Sequence, residues 1–408
     1  MKVTFFSTYP PAPCGIGDYT RALRHAVERA EPEIVVDVVA ERHPSVTREL
    51  DAHVTRAWGR SGAWDEEAVP AVLAQRPDLV HVQHEEAILQ QNGRLIRFLD
   101  ALGQARIARV VTLHSVYAGR LGVPSWWPPP IFHRALAERC EAMVVHQREG
   151  GLDTLVRQGV PAAKIHVIPH GTPISLPFLA PTARAVARQR LGIPPEARMA
   201  LFFGVIHAKK NLHTVVEAAS RVAARLPGFR FVVAGRARRR NVLDALYARR
   251  LGRRMAGGLR AGWLDLREGF IPAEDLASYV AAADVVLFPH DQAYGSASGV
   301  FHHALGGGRA CICSASPKFG EARELFAATI PGATVPTRDV GAWAAAIEAF
   351  LSSPAVLREA EGLAERAAAD SSWEKVGRLH ADLYLHLGRS QLGQQPPEPE
   401  RAASPSVG

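Results

Sequence analysis

The sequence predicts an α/β protein of two Rossmann-like domains facing a central cleft, and three observations carry that prediction. The chain has 408 residues, too many for one ordinary core and suited to two domains of roughly 150–200 residues each. Short apolar runs alternate with amphipathic stretches from end to end, the pattern of parallel strands wrapped by helices. That rhythm stops once, at residues 172–181, and then restarts.

In the first half, residues 3–6, 34–39, 79–82, 110–113, 143–145 and 165–168 read as buried strands, each bounded by polar, Gly or Pro punctuation. Residues 19–29, 66–75 and 149–158 read as the clearest helices between them. The interruption, TPISLPFLAP, holds three prolines and no helical period, and reads as an interdomain linker. Strands are then expected at 200–203, 231–234, 285–288 and 310–313. Helices are expected at 211–225, 273–283, from about Gly299, at 340–351 and at 355–369. The boundaries that follow are 1–175 and 176–372 for the two domains, and 373–388 for a helix crossing back to the first. Residues 389–408, rich in proline and small polar groups, are expected to be a disordered tail.

A hydrophobic content of 47% with 22% charged residues is that of a globular protein. The apolar start breaks at Ser7, too soon for a signal peptide, and no run of about 18 apolar residues occurs, so a cytoplasmic protein is expected. Cys14, Cys140, Cys311 and Cys313 have no metal or disulfide spacing and read as reduced thiols. The net charge of +8 allows an anionic partner. Its densest stretch, Arg236 to Arg260, reads either as a solvated helix face or as a contact with anionic lipid or a phosphorylated acceptor. Without recognition motifs or interleaved aromatics, nucleic acid is not expected.

Open parallel sheets bind ligands at the carboxyl ends of their strands. After the first strand, Gly15 and Gly17 precede a helix whose free amides and dipole favour phosphate, although a plain turn explains them equally. The loop lacks a dinucleotide fingerprint, so a dehydrogenase is not supported. In the second half, residues 200–203 end in Gly204, and Lys209 or Lys210 then stands beside the next helix start, an arrangement suited to diphosphate. Further on, Ser298 is a candidate N-cap, which would turn the amides of Gly299 and Val300 into a second phosphate cradle. The pairs His81 with His84 and His302 with His303 have no third ligand at metal spacing, so no metal is expected.

Over nearly all of residues 1–388 the chain resembles the family-four (group 1) retaining glycosyltransferases with the two-domain GT-B fold. The resemblance is carried by the S-T-Y-P-P-x-x-C-G-I-G opening, Thr112-Leu113-His114, and Val167-Ile168-Pro169-His170-Gly171. It continues through the Gly204 to Lys210 loop, Val233-Ala234-Gly235, Glu268-Gly269-Phe270-Ile271-Pro272 and Ala304-Leu305-Gly306-Gly307-Gly308. It implies an acceptor-side first domain, a second domain binding the nucleotide sugar, and retaining, metal-independent hexosyl transfer without a cofactor, in polysaccharide or glycoconjugate synthesis. It also implies a carbohydrate, lipid-linked or small-molecule acceptor. Lys210 then meets the donor diphosphate, the backbone of Phe270, Ile271 and Pro272 reads the base, and His114 approaches the donor sugar or acceptor. The arginine usual after the loop glycine is Val205 here, with His207 or Lys209 as substitutes. The family's two glutamates fall on Gly295 and His303. His303 retains a hydrogen bond for the ribose, Asp291 is the candidate to serve the sugar, and Glu321 matches a further acidic position. The missing pair keeps two other readings open: a non-catalytic or regulatory sugar-nucleotide-binding protein, and a sugar-nucleotide epimerase on the same fold.

Overall fold

The structure is a computed structural model that describes residues 1–119, 127–174, 182–239, 241–269, 271, 273–326 and 329–391. Its first sheet contains β1 (Lys2–Ser7), β2 (Val35–Glu41), β3 (Val54–Trp58), β4 (Leu79–His84), β5 (Ala108–Leu113), β7 (Ala142–Val145) and β8 (Ile165–Val167). All pair in parallel, in the order β3-β2-β1-β4-β5-β7-β8. The second contains β9 (Arg198–Phe203), β10 (Phe229–Gly235), β11 (Leu264–Glu268), β12 (Val285–Phe288), β14 (Ala310–Ser314) and β15 (Thr334–Val335). Its order is β11-β10-β9-β12-β14-β15, again parallel. The central strands are Val, Ile and Phe runs buried on both faces, as helices on either side of a parallel sheet require. In each sheet the order reverses once, between β1 and β4 and between β9 and β12, and the loops leaving those strands define the two ligand-binding crevices.

The expected strands occur, and within the two parallel sheets three described strands stand where none was expected. β3 (VTRAW), β11 (LDLRE) and β15 (TV) lie at sheet edges, where one flank meets solvent and polar side chains are tolerated. The helix expected at 149–158 is shorter. Glu149 is extended (ψ 130°) and Gly150 adopts φ +77°, so the α-helix begins only at Asp153–Arg157.

A third, two-stranded sheet joins the halves. β6 (Ser115–Val116) of the first domain pairs antiparallel with β13 (Gly295–Ser296) of the second. The two backbones meet so closely that a Cβ on Gly295 would lie 2.2 Å from the Gly150 carbonyl oxygen. Nearby, Gln147 Nε2 donates to the Pro317 carbonyl at 3.0 Å and Arg323 pairs with Glu149, both across the interface.

Of the proline-rich interruption, residues 175–181 and with them the 175/176 boundary lie outside the described residues. Thr172, at its start, donates its amide to the Ser371 carbonyl (2.7 Å) where the chain re-enters the first half. The final helix, Trp373–Gln391, packs on the helix Gly15–Ala30. It sends Val376, Ala381 and Tyr384 into the first-domain core beside Phe5 and Val36. Tyr384 Oη bonds His81 Nδ1 at 2.6 Å, which explains that histidine structurally. Because the helix runs to Gln391, residues 389–391 do not belong to a tail, and 392–408 lie outside the described residues. Among the described residues no single helix is long and apolar enough to cross a membrane, and all four cysteines are free.

Candidate active site

The two crevices open onto one cleft of about 480 Å³ between the domains. Gly15, Glu85 and His114 stand on the first-domain wall, with Tyr294, Gly299 and Lys318 on the second. The chemistry concentrates at the second switch point, where the loop after β9 faces the loop after β12. Gly204 (φ +120°) and Gly235 (φ +151°) let the loops after β9 and β10 close on each other, since a Cβ on Gly235 would lie 1.9 Å from Gly204 O. The β9 loop then turns through Ala208–Lys210 and delivers Lys210 Nζ to His290 Nε2, which follows β12.

Burial, reinforced by the charge of Lys318, pushes the Lys210 ammonium down to about 7. Lys318 follows β14 and donates from Nζ to Ser296 Oγ (2.8 Å) and the Ala297 carbonyl (2.9 Å). Burial brings it down to about 8, against the opposing pull of Glu85. Among the described residues neither lysine is ion-paired with a carboxylate. Beside them begins the helix Gly299–Gly306. The amides of Gly299 and Val300 have no intrahelical acceptor at this position. Val300 also abuts the β9 loop, its Cγ1 3.6 Å from where a Cβ on Gly204 would be. Two half-buried lysines and a helix start therefore converge, with the Glu85 carboxyl acting on Lys318 across the cleft.

Ser298 occupies the cap position, but its hydroxyl makes no capping bond and is buried without a partner. A phosphate cradle at this helix start would therefore rest on the amides, not on a serine cap. Gly15 lines the cleft. Gly17 does not, since a Cβ there would lie 3.2 Å from Tyr9 Cα, making it a packing glycine under the first helix. Lys209 is exposed, with Nζ 5.5 Å from the centre of the Tyr294 ring, which itself stacks on Tyr117 of the first domain at 4.3 Å. His207 is pushed down to about 4 by burial and by Lys210 and Arg238, so it is neutral and carries no charge for a phosphate.

His114 is buried at the cleft wall with both ring nitrogens used inside the first domain, toward His146 Nε2 (3.2 Å) and the Gln83 side-chain amide (2.9 Å). The Ile168 carbonyl, 3.0 Å from His146 Nδ1, can only accept, so His146 carries its proton there. His146 Nε2 then accepts from His114 Nδ1–H; the Gln83 side-chain oxygen lies toward His114 Nε2 at 2.9 Å, and turning that amide over would let its NH2 donate there. Burial and the surrounding imidazoles hold His114 well below its ordinary pKa. It lines the cleft as a neutral imidazole whose two ring nitrogens are engaged within the first domain.

Asp291 does not line the cleft, because Arg338 grips it through Nε (2.9 Å) and Nη2. Glu321 faces His302 (Oε2 to Nε2 3.2 Å), and His302 in turn bonds Thr172 Oγ1 at 2.7 Å, so both serve the domain junction. His303 points to the exposed side of its helix and does not line the cleft. Ile271 packs on the second-domain core, while Phe270 and Pro272 lie outside the described residues.

Sequence reasoning missed Glu85 and Lys318. Glu85 follows β4 at the first switch point, accepts from Ser115 Oγ at 2.9 Å, and has its carboxyl pushed up by burial. Its signal was available, as the first residue beyond a switch-point strand. Lys318 had none, because only the packing of the loop after β14 brings it across to Ser296.

Residues 15–176 match the family described as Glycosyltransferase Family 4, and residues 197–353 match Glycosyl transferases group 1. The D-inositol 3-phosphate glycosyltransferase of Thermobispora bispora is 28% identical over 233 residues, covering 55% of this chain and 51% of that protein. Its counterpart in Mycobacterium tuberculosis H37Ra is 28% identical over 272 residues, covering 65% and 52%. The chain thus spans about half the length of the curated relatives it matches. Among solved structures, Anabaena HepE in complex with UDP superposes with a TM-score of 0.71 at 15% identity, covering 95% of this chain and 100% of that one. Sucrose-phosphate synthase from Thermosynechococcus elongatus gives 0.72 at 21%, covering 96% and 100%.

Proposed function

The chain belongs to the group 1 glycosyltransferases with the GT-B fold, and from that premise we propose that it moves a sugar from a nucleotide-sugar donor to an acceptor hydroxyl. The transfer retains anomeric configuration, needs neither metal nor cofactor, and serves polysaccharide or glycoconjugate synthesis in the cytoplasm. One observation carries the donor class. Lys210 and Lys318, both depressed by burial and paired with no carboxylate among the described residues, meet the free amides of Gly299 and Val300 at the second switch point. A positive site of that kind suits a compact polyanion such as a diphosphate.

In this reading the bond between the anomeric carbon and the diphosphate oxygen breaks as the acceptor oxygen attacks from the same face. The acceptor proton passes to the departing phosphate. Lys210 exchanges His290 for a phosphate oxygen, Lys318 and the helix amides hold the remaining charge, and this electrostatic stabilisation is the largest contribution to rate. His114 and Tyr294 shape the sugar pocket, and backbone at Ile271 supports the base. Glu85 takes the acidic role left vacant by the family's glutamates. It holds hydroxyls of the sugar or acceptor from the first-domain side.

The non-catalytic reading has one observation in its favour. The position of the first family glutamate is Gly295, where contact with Gly150 leaves no room for any side chain. Mass spectrometry of the purified protein with a panel of nucleotide sugars and acceptors separates the readings. UDP-glucose heads the panel because Anabaena HepE has been solved in complex with it. Transfer, or slow hydrolysis without acceptor, supports the enzyme. Donor binding with neither supports the binding protein, isomerised donor without acceptor supports an epimerase, and no donor binding at all refutes the proposal.

A further inference from the structure

The basic stretch of the second domain folds into one long helix, Val242–Ala261. Its start is pinned. The Asn241 side chain accepts from the Asp244 amide at 2.9 Å, and Arg238 holds the Asp244 carboxylate at 2.8–3.0 Å. Leu251, Met255 and Gly258 bury the inner face. The outer face does not follow the usual rule for an exposed helix. Val242 is 73% exposed, Leu243 74% and Leu246 45%.

At helical spacing the same face continues into Arg249, Arg250, Arg253 and Arg260. None of these four arginines enters an ion pair among the described residues, whereas Arg254, at the edge of the face, pairs with Glu217. The only acid in the helix is the buried Asp244. The face is therefore apolar for its first turns and cationic for the rest, a sequence of properties suited to the boundary between acyl chains and headgroups.

Alongside runs a groove of about 780 Å³ between this helix and the β11 edge, lined by Ala245, Leu251, Met255 and Leu266 with Arg239 and Arg249 on its rim. Glu268, also on the rim, is neutralised by Arg239 at 3.6 Å. Ile206, Ala237 and Glu268 close the groove at the carboxyl ends of β9, β10 and β11, the side on which the cleft opens.

We propose that the helix Val242–Ala261 is a docking face for an anionic lipid surface, with Val242, Leu243 and Leu246 entering the headgroup boundary and the four arginines meeting lipid phosphates. The positive charge and the absence of acids on the face favour lipid over a protein partner. A second copy of this chain would oppose arginine to arginine. Docking here brings the cleft mouth to the membrane, where a lipid-linked acceptor would be presented. The inference does not depend on the donor reading, since none of its residues lies at the phosphate site.

The test is flotation of the full chain with vesicles of phosphatidylglycerol and phosphatidylcholine, against vesicles of phosphatidylcholine alone. Binding is expected on the anionic vesicles only, and it weakens as salt is raised. With each arginine contributing roughly fivefold to partitioning, Arg249→Glu, Arg250→Glu and Arg253→Glu together reduce it at least about a hundredfold. Val242→Ser with Leu243→Ser reduces it independently of charge, and unchanged thermal midpoints certify the fold of both variants. No binding to anionic vesicles, equal binding to neutral ones, or variants that bind like the parent would overturn the proposal. So would sedimentation showing that the same substitutions dissolve a dimer while vesicle binding is unaltered.

Discussion

Replacing Lys210 by methionine keeps the bulk of the side chain and removes its charge. Burial and the charge of Lys318 hold that ammonium at about 7, against 10.5 for an ordinary lysine. At about 1.4 kcal/mol per tenfold change in acidity, keeping it charged without a partner costs roughly 5 kcal/mol. A bound diphosphate relieves that cost, although the His290 contact and water at the cleft mouth reduce the recoverable part to about 3 kcal/mol. Donor affinity and turnover together should fall about a hundredfold in Lys210→Met. The same physics predicts proton uptake. At pH near 8 Lys210 is mostly neutral and Lys318, at about 8, is half charged. Binding a dianion restores both charges, so about one and a half protons are taken up near pH 8, about two near pH 9 and almost none near pH 6. Donor affinity consequently falls as pH rises through this window. Titration calorimetry in buffers of different ionisation enthalpy measures the uptake directly. Donor binding near pH 8 without proton uptake, together with a Lys210→Met affinity within twofold of the parent, would refute the reasoning.

Three further perturbations test other parts of the site. Glu85→Gln keeps the Ser115 bond but removes the charge, so turnover should fall at least about tenfold with nucleoside diphosphate affinity unchanged, as single-turnover kinetics and calorimetry would register. Gly295→Ala drives a methyl into the Gly150 carbonyl and breaks the pairing of β6 with β13; X-ray scattering should report a larger radius of gyration, and turnover should drop with it. Tyr384→Phe strips a buried 2.6 Å bond from His81 and should lower stability by about 1–2 kcal/mol in urea denaturation, with donor affinity unaltered.

The architecture was legible because apolar runs buried on both faces announce the inner strands of a parallel sheet. Edge strands escaped for the complementary reason. β3 and β11 carry Thr55, Asp265 and Arg267 on flanks that meet solvent, and β3 also carries the partly buried Arg56, so no apolar run marks them. Lys210 was legible through local chemistry, as a cation between a strand end and a helix start. His114 was found by position, but its protonation depends on Gln83, His146 and the Ile168 carbonyl, three partners distant in sequence. Asp291 looked free in sequence and is held by Arg338, a partner 47 positions away. The Gly295 contact with Gly150 lies between domains, a relation no local pattern encodes.

The last helix also decides the order in which the protein can be completed. Val376, Ala381 and Tyr384 are part of the first-domain core, yet they are synthesised after the whole second domain. On the ribosome the half made first must wait, its helix Gly15–Ala30 uncovered, while the contiguous second half is already able to close. Domains usually finish in the order they emerge, and here that order is reversed. Residues 1–175 expressed alone would lack part of their own interior, so dividing the protein into halves requires carrying residues 373–391 with the first.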